Sequence, residues 1–234
     1  MAAHERTTDA PRGTAPGGAA PGTTAPGATG QPDVAAAIRE GIARGDFAPN
    51  QRLVEGDLSE LYGASRSGVR SALIELTNEG LVERVQHRGA RVRAVTLDEA
   101  IEISEVRMVV EGLCAAKAAE RVTDAETAEL RALGDAMRAA VAEGHVLEYS
   151  ALNKSLHQRI VDISGQETAA GVLRRLRAQN VRFQFQLALV PGRPNVSLAE
   201  HLAIVEEICA HSPDAAERAA RRHLVSVIEA LKAV

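Results

Sequence analysis

The chain has 234 residues, 45% of them hydrophobic, 25% charged and only 2% aromatic, so neither a disordered nor a membrane class fits it as a whole, and its core must be built from Ala, Leu, Val and Ile, a palette suited to helices. A net charge of −4 speaks against nucleic acid when taken whole, yet residues 33–95 carry nine Arg against nine acids, residues 96–234 carry 16 bases against 20 acids, and Arg84–Arg93 has four Arg and no acid. Two cysteines, Cys114 and Cys209, exclude a disulfide scaffold and read as buried thiols; with no signal-peptide pattern and no run of about 18 apolar residues, the expectation is a cytoplasmic protein with no membrane segment.

Residues 1–32 are dominated by Ala, Pro, Gly and Thr, a composition that buries too little apolar surface to offset ordering entropy, and read as a disordered tail. Asp33 then precedes Val34, Ile38 and Ile42 at helical spacing, with Gly45 near the end of a first short helix. Leu53, Leu58 and Leu61 mark a second, closed by Gly63. Ser65 stands as an N-cap, and Val69, Ala72, Leu73 and Leu76 give the third helix an apolar stripe that ends before Gly80. The period then changes: LVERV and ARVRAV flank Gln86–Gly89, which reads as two strands joined by a turn. Three helices and a hairpin over 33–95 make a winged helix-turn-helix. From Leu97 onward no strand pattern recurs, and six helices are predicted over 97–121, 124–143, 145–163, 166–190, 195–210 and 213–233, so 96–234 reads as an all-α bundle and the chain as mainly α.

The apolar stripe of the third helix must face the first two, which leaves Arg66, Ser67, Arg70 and Ser71 on the opposite side near its N-terminus. A recognition helix enters the major groove by that turn, where Arg pairs with guanine O6 and N7 and small hydroxyls meet phosphates or bases. The plain alternative is a solvated face. In the wing, Arg84, Arg88, Arg91 and Arg93 read as phosphate or minor-groove contacts, although strand alternation sends some of them away from a duplex. Arg88 and Gly89 at the tip are the strongest candidates, since glycine lets the backbone approach closely.

His157, His201 and His223 sit mid-helix on three different predicted helices, and Asn153 shares a helix face with His157. Three imidazoles and one oxygen ligand gathered from a bundle would make a first-row metal site with open positions. Spacing alone favours three core or surface histidines that are each satisfied by a backbone carbonyl.

The run from Arg44 to Val92 resembles the DNA-binding domain of the GntR family of bacterial transcription regulators. The resemblance rests on P-x-x-x-L-x-E-x-x-L-x-x-x-x-G-x-S-R-x-x-V-R-x-A-L-x-x-L-x-x-E-G-L-V followed by R-G-x-x-V. It implies that Arg66 and Arg70 contact operator bases. Two departures are Ser67-Gly68 where many relatives have Thr-Pro, and Gly56 where some have a contacting Arg; both bear on base preference. The remainder resembles the FCD ligand-binding domain of the FadR-like subgroup, through RMVVEGLCAAKAAE, NKSLHQRIVDISG, SLAEHLAIVEEI and AARRHL. The resemblance implies a divalent metal, with zinc, nickel, manganese and iron all open, on Asn153, His157, His201 and His223. It also implies a small organic acid effector facing Arg107, whose plain alternative is an exposed salt bridge with Glu111, and polar residues of the fourth helix (Arg177, Asn180, Arg182, Gln184, Gln186) as further pocket candidates. The expected function is a ligand-responsive regulator, most simply a repressor, that binds an inverted-repeat DNA operator as a homodimer. The alternatives are a constitutive DNA-binding dimer and a metal-dependent enzyme; against the latter, no H-E-x-x-H pattern supplies a carboxylate base beside the histidines.

Overall fold

In a computed structural model, which describes Met1, residues 33–85 and residues 89–233, the first helix begins where the Asp33 side chain accepts a hydrogen bond from the Ala36 N–H at 3.0 Å. The tail read over 1–32, Met1 apart, and Arg88 at the wing tip lie outside the described residues.

Helix α1 (Val34–Arg44) leads to a short strand, β1 (Arg52–Leu53), then to α2 (Glu55–Tyr62) and α3 (Arg66–Asn78). Ser65 caps α3 as its position predicts, its Oγ accepting from the Gly68 N–H at 3.1 Å. Strands β2 (Val82–Val85) and β3 (Gly89–Val92) pair antiparallel, with Val82 opposite Val92 and Val85 opposite Gly89. Strand β1 adds to the other edge of β3, with Leu53 opposite Ala90, giving the order β1-β3-β2. This third strand is not predicted by the sequence pattern, since two residues carry no alternation to read. Ile38, Leu53, Leu58, Val69, Leu73, Leu76, Leu81, Val82 and Val92 fill one core.

Seven further helices complete the chain: α4 (Leu97–Arg121), α5 (Asp124–Ala142), α6 (Val146–Ser164), α7 (Glu167–Gln179), α8 (Val181–Ala188), α9 (Arg193–Cys209) and α10 (Pro213–Lys232). Thr96 caps α4, and Thr123 with Glu126 forms a reciprocal capping box on α5. Their core joins Leu130, Met137, Tyr149, Leu156, Ile204 and Ile208 with alanines of α4 and α10.

The single helix predicted over 166–190 is two. Asn180 interrupts it: the side chain is buried, and its Nδ2 donates to the Ala100 carbonyl at 3.0 Å and to Ser104 Oγ at 3.1 Å. Asparagine competes with the helical ladder in this way, but its partners lie on α4 and leave no trace in the local periodicity. The break leaves α7 packed on α4 and sends α8 against α1. Ala178, at the end of α7, belongs to the core built by α1–α3 and the sheet, and Val181 packs on it. At the same junction, the Gln179 Nε2 donates to the Glu79 carbonyl at 3.4 Å. Gly80, at φ +77°, has no side chain there, where a Cβ would lie 2.4 Å from that nitrogen. Ala178 and Gln179 thus hold the turn at the end of α3.

Candidate functional site

On α3 the division of faces follows the apolar spacing. Val69, Ala72, Leu73 and Leu76 are buried, while Arg66, Ser67, Arg70 and Ser71 are exposed together at the first two turns. Arg70 is held before any ligand arrives: its Nε and Nη2 donate to both carboxylate oxygens of Glu55, on the first turn of α2, at 3.0 and 2.7 Å. Exposed pairs of this kind contribute little to stability, but they orient a planar fork of donors. Of the wing arginines, Arg84 is exposed, and Arg91 pairs across the strands with Glu83 at 2.6 Å. Arg93 is turned inward against Glu99 of α4, so the wing offers fewer free cations than its composition suggests. Gly89 is exposed at φ +87° with open space around it.

The three helical histidines do meet. His157 from α6, His201 from α9 and His223 from α10 have ring centroids 4.3–5.5 Å apart, and one ring nitrogen of each lies within 4.8 Å of the others. Every Nδ1 is turned outward to an oxygen partner. That of His223 lies 2.7 Å from Glu200 Oε2, and that of His201 lies 3.3 Å from both Tyr149 Oη and Ser197 Oγ. That of His157 lies 3.0 Å from Glu111 Oε2, close but poorly aligned for a hydrogen bond. The Nε2 atoms are thereby turned inward, those of His157 and His201 standing 3.0 Å apart. Such outer partners fix the tautomer and orientation of metal-binding imidazoles.

Asn153 lies on α6 one turn before His157. Its Oδ1 is buried with no hydrogen-bond partner, a costly condition for an amide oxygen and one that a cation removes. Burial pushes His157 down to about 4, against the opposing pull of Glu111. Burial, then the neighbouring His223 and His157, holds His201 well below the usual imidazole range. At neutral pH both rings are neutral and present lone pairs, as a divalent cation requires. Three imidazoles and an amide oxygen fit a first-row divalent ion and give no further preference among such ions.

Arg107 is not the exposed cation of the plain alternative, although its partner is the one that alternative named. It is buried, with Nε donating to Glu111 Oε1 at 2.9 Å. Glu111 also meets Arg177 of α7, whose Nη2 lies 3.3 Å away. Burial alone would raise the Glu111 carboxyl, but Arg107, Arg177 and His157 outweigh it and hold the group well below the usual carboxylate range. Sequence reasoning does not single out Glu111, Glu200 or Tyr149 as site residues; the one signal is Glu111 four residues after Arg107. Of the fourth-helix candidates, Arg177 joins this cluster, Asn180 packs on α4, and Arg182 and Gln186 line a different cavity. The space beside the cluster, bounded by Glu111, Cys114, His157 and Arg177 among others, is about 10 Å³, room for roughly one water.

Residues 102–226 match the FCD domain, and residues 31–92 match the bacterial regulatory proteins of the gntR family. The HTH-type transcriptional repressor RspR of Escherichia coli K12 is 25% identical over 197 residues, 84% of this chain and 86% of that protein. A probable D-xylose utilization operon transcriptional repressor of Paenarthrobacter nicotinovorans is 27% identical over 203 residues, 84% of this chain and 88% of that protein. Among solved structures, E. coli McbR/YncC superimposes with a TM-score of 0.75 at 20% identity, covering 86% of this chain and 95% of its own. RspR and the Paenarthrobacter protein are named as transcriptional repressors and the gntR family model describes regulatory proteins, which sets the enzyme alternative aside.

The histidine shifts carry a sign. A buried imidazole that resists protonation leaves the unfolded chain to take up protons first, so its contribution is present above about pH 6.5 and is lost as pH falls toward the folded value of about 4 for His157. Protein stripped of metal is expected to lose on the order of 3 kcal/mol across that window from this group, read as a falling Tm. His157→Gln should flatten the slope, and an equally steep slope in the variant overturns the assignment.

Proposed function

The chain belongs to the gntR family of bacterial regulatory proteins and carries an FCD domain, and we propose that it is a ligand-responsive transcriptional repressor that binds an inverted-repeat operator as a homodimer. The reading divides the chain into a tail over 1–32, a DNA-binding domain over 33–95 and an effector-binding and dimerisation domain over 96–234. The observation that carries it is the first two turns of α3, where Arg66, Ser67, Arg70 and Ser71 stand exposed together above a fully packed apolar face. They would enter the major groove, with Arg88 and Gly89 of the wing against the adjacent backbone. A single winged domain makes too few contacts for tight specific binding at physiological salt, so two copies are required. Helix α4 has a matching feature: Val106, Val109 and Leu113, three and four residues apart, are all exposed, and α10 beside it adds Val225. Such a stripe suits burial against a second copy.

Asn153, His157, His201 and His223 would hold a divalent metal, which supplies a Lewis-acidic point for a carboxylate oxygen. A small organic acid there would also meet Arg107 and Arg177. The space of about 10 Å³ does not admit one, so entry requires the Arg–Glu111 contacts to open, and the ligand thereby favours one arrangement of the helices over another. That the relatives RspR and the D-xylose operon protein are repressors supports the sign of the response.

The primary test is fluorescence anisotropy on the DNA upstream of the chain's own gene, at about 150 mM salt because phosphate contacts make affinity salt-dependent. Arg70→Ala is expected to lose roughly 5- to 150-fold per half-site, the ~1–3 kcal/mol of a bidentate base contact; an unchanged affinity on a confirmed operator sinks the reading. For the metal, elemental analysis should find about one equivalent per chain, absent from a folded His157→Ala protein. Retention of metal by that variant would reject the site. Sedimentation of Val109→Arg should show monomer where the unaltered chain is a dimer, and a persistent dimer would place the interface elsewhere.

A further inference from the structure

A second cavity, of about 220 Å³, lies where α8 faces the winged fold, far larger than the space at the histidines. We infer that it is a separate binding site for a small carboxylate with an apolar body. Its walls come from both sides. Ile42, Phe47, Leu81 and Val92 belong to the winged part, while Val181 and Phe183 belong to α8. The volume is below the ~300–1,000 Å³ of sites for drug-sized molecules, which limits the occupant to a small one.

The charge of the occupant follows from the polar atoms. Arg93 and Arg182 line the cavity, and among the described residues no acidic one does. Glu99 anchors one terminal nitrogen of Arg93, while the other, Nη1, is buried without a hydrogen-bond partner. With Glu99 balancing Arg93, Arg182 is the net positive charge, and it has no ion-pair partner among the described residues. Gln179 and Gln186 add amide groups. A carboxylate suits Arg182 and the amides and an aromatic or branched body covers the apolar wall; a neutral apolar molecule would leave Arg182 without an anion, and a bare acetate would leave the wall wet. An occupant touching Phe47 and Leu81 on one side and Phe183 on the other would bias how the winged part sits against α8, a consequence for DNA affinity that rests on the function proposed above.

Binding itself tests the site independently of that function. The full-length protein with its metal is titrated calorimetrically with benzoate, phenylacetate and hexanoate, with acetate lacking the body and benzyl alcohol lacking the charge as controls. The expected result is saturable binding of at least one of the three acids at one equivalent per chain, with neither control binding. Arg182→Gln should weaken it by roughly tenfold, and Val181→Phe, which fills the space, should abolish it. Both variants are checked for an unchanged thermal transition, and His157→Ala should bind as the unaltered chain does. The inference is overturned by the absence of saturable binding up to millimolar acid, by binding that survives both cavity substitutions, or by binding lost in His157→Ala, which would place the acid at the histidines.

Discussion

Glu111 is almost fully buried, with both arginine partners and one imidazole converging on it. A lone carboxylate in that position would take a proton, and Arg107, left with no anion, would be an uncompensated buried charge costing several kcal/mol. The members of the set therefore hold one another in place. The same carboxylate faces the Nδ1 of His157, which directs that ring's Nε2 toward His201. One residue thus couples the ion-pair cluster to the inward-facing nitrogens. The sum of charges has a consequence as well. Arg107, Arg177 and Arg193 stand against Glu111 and Glu200, an excess of one positive charge before the histidines are counted, and a divalent cation would add to it. An anionic ligand is the natural complement of such a field.

Much of this was legible in the sequence where the signal is local. The Ser65 cap, the apolar stripe of α3 and the hairpin after Gly80 are all set by residues close together in the chain, and the structure places them as read. The convergence of His157, His201 and His223 over intervals of 44 and 22 residues was not derivable from spacing, which favoured three unrelated histidines; the family resemblance pointed to it. What stayed hidden depends on partners distant in the chain. Asn180 breaks a helix because of Ala100 and Ser104, β1 exists only because β3 lies beside it, and Arg93 faces inward because α4 presents Glu99. Glu111 was visible only as a salt-bridge partner of Arg107, since nothing local reveals that Arg177 arrives from 66 positions away.

The last turn of α7 joins the histidine cluster to the DNA-facing part through three consecutive residues. Arg177 reaches Glu111; Ala178 is buried in the winged core; Gln179 meets the Glu79 carbonyl at the end of α3. The Gln179 contact, at 3.4 Å, is a weak tie, and the burial of Ala178 with Val181 behind it is the strong one. From the winged side, Arg39 of α1 grips Glu75 and Glu79, the latter at 2.7 Å, so the end of α3 moves with α1, and α1 packs on α8. An organic acid that displaced Arg177 from Glu111 would have to move a helical turn whose next residue is part of the other core. A packed core accommodates such a shift by changing to another arrangement rather than by stretching. Coupling of this form would be reciprocal: the factor by which an acid changed the affinity for operator DNA would be the factor by which that DNA changed the affinity for the acid. The break at Asn180 is what makes this economical, because a continuous helix would carry the displacement along its own axis. Two short helices meeting at a buried asparagine would turn it toward α1 and the Gly80 turn instead.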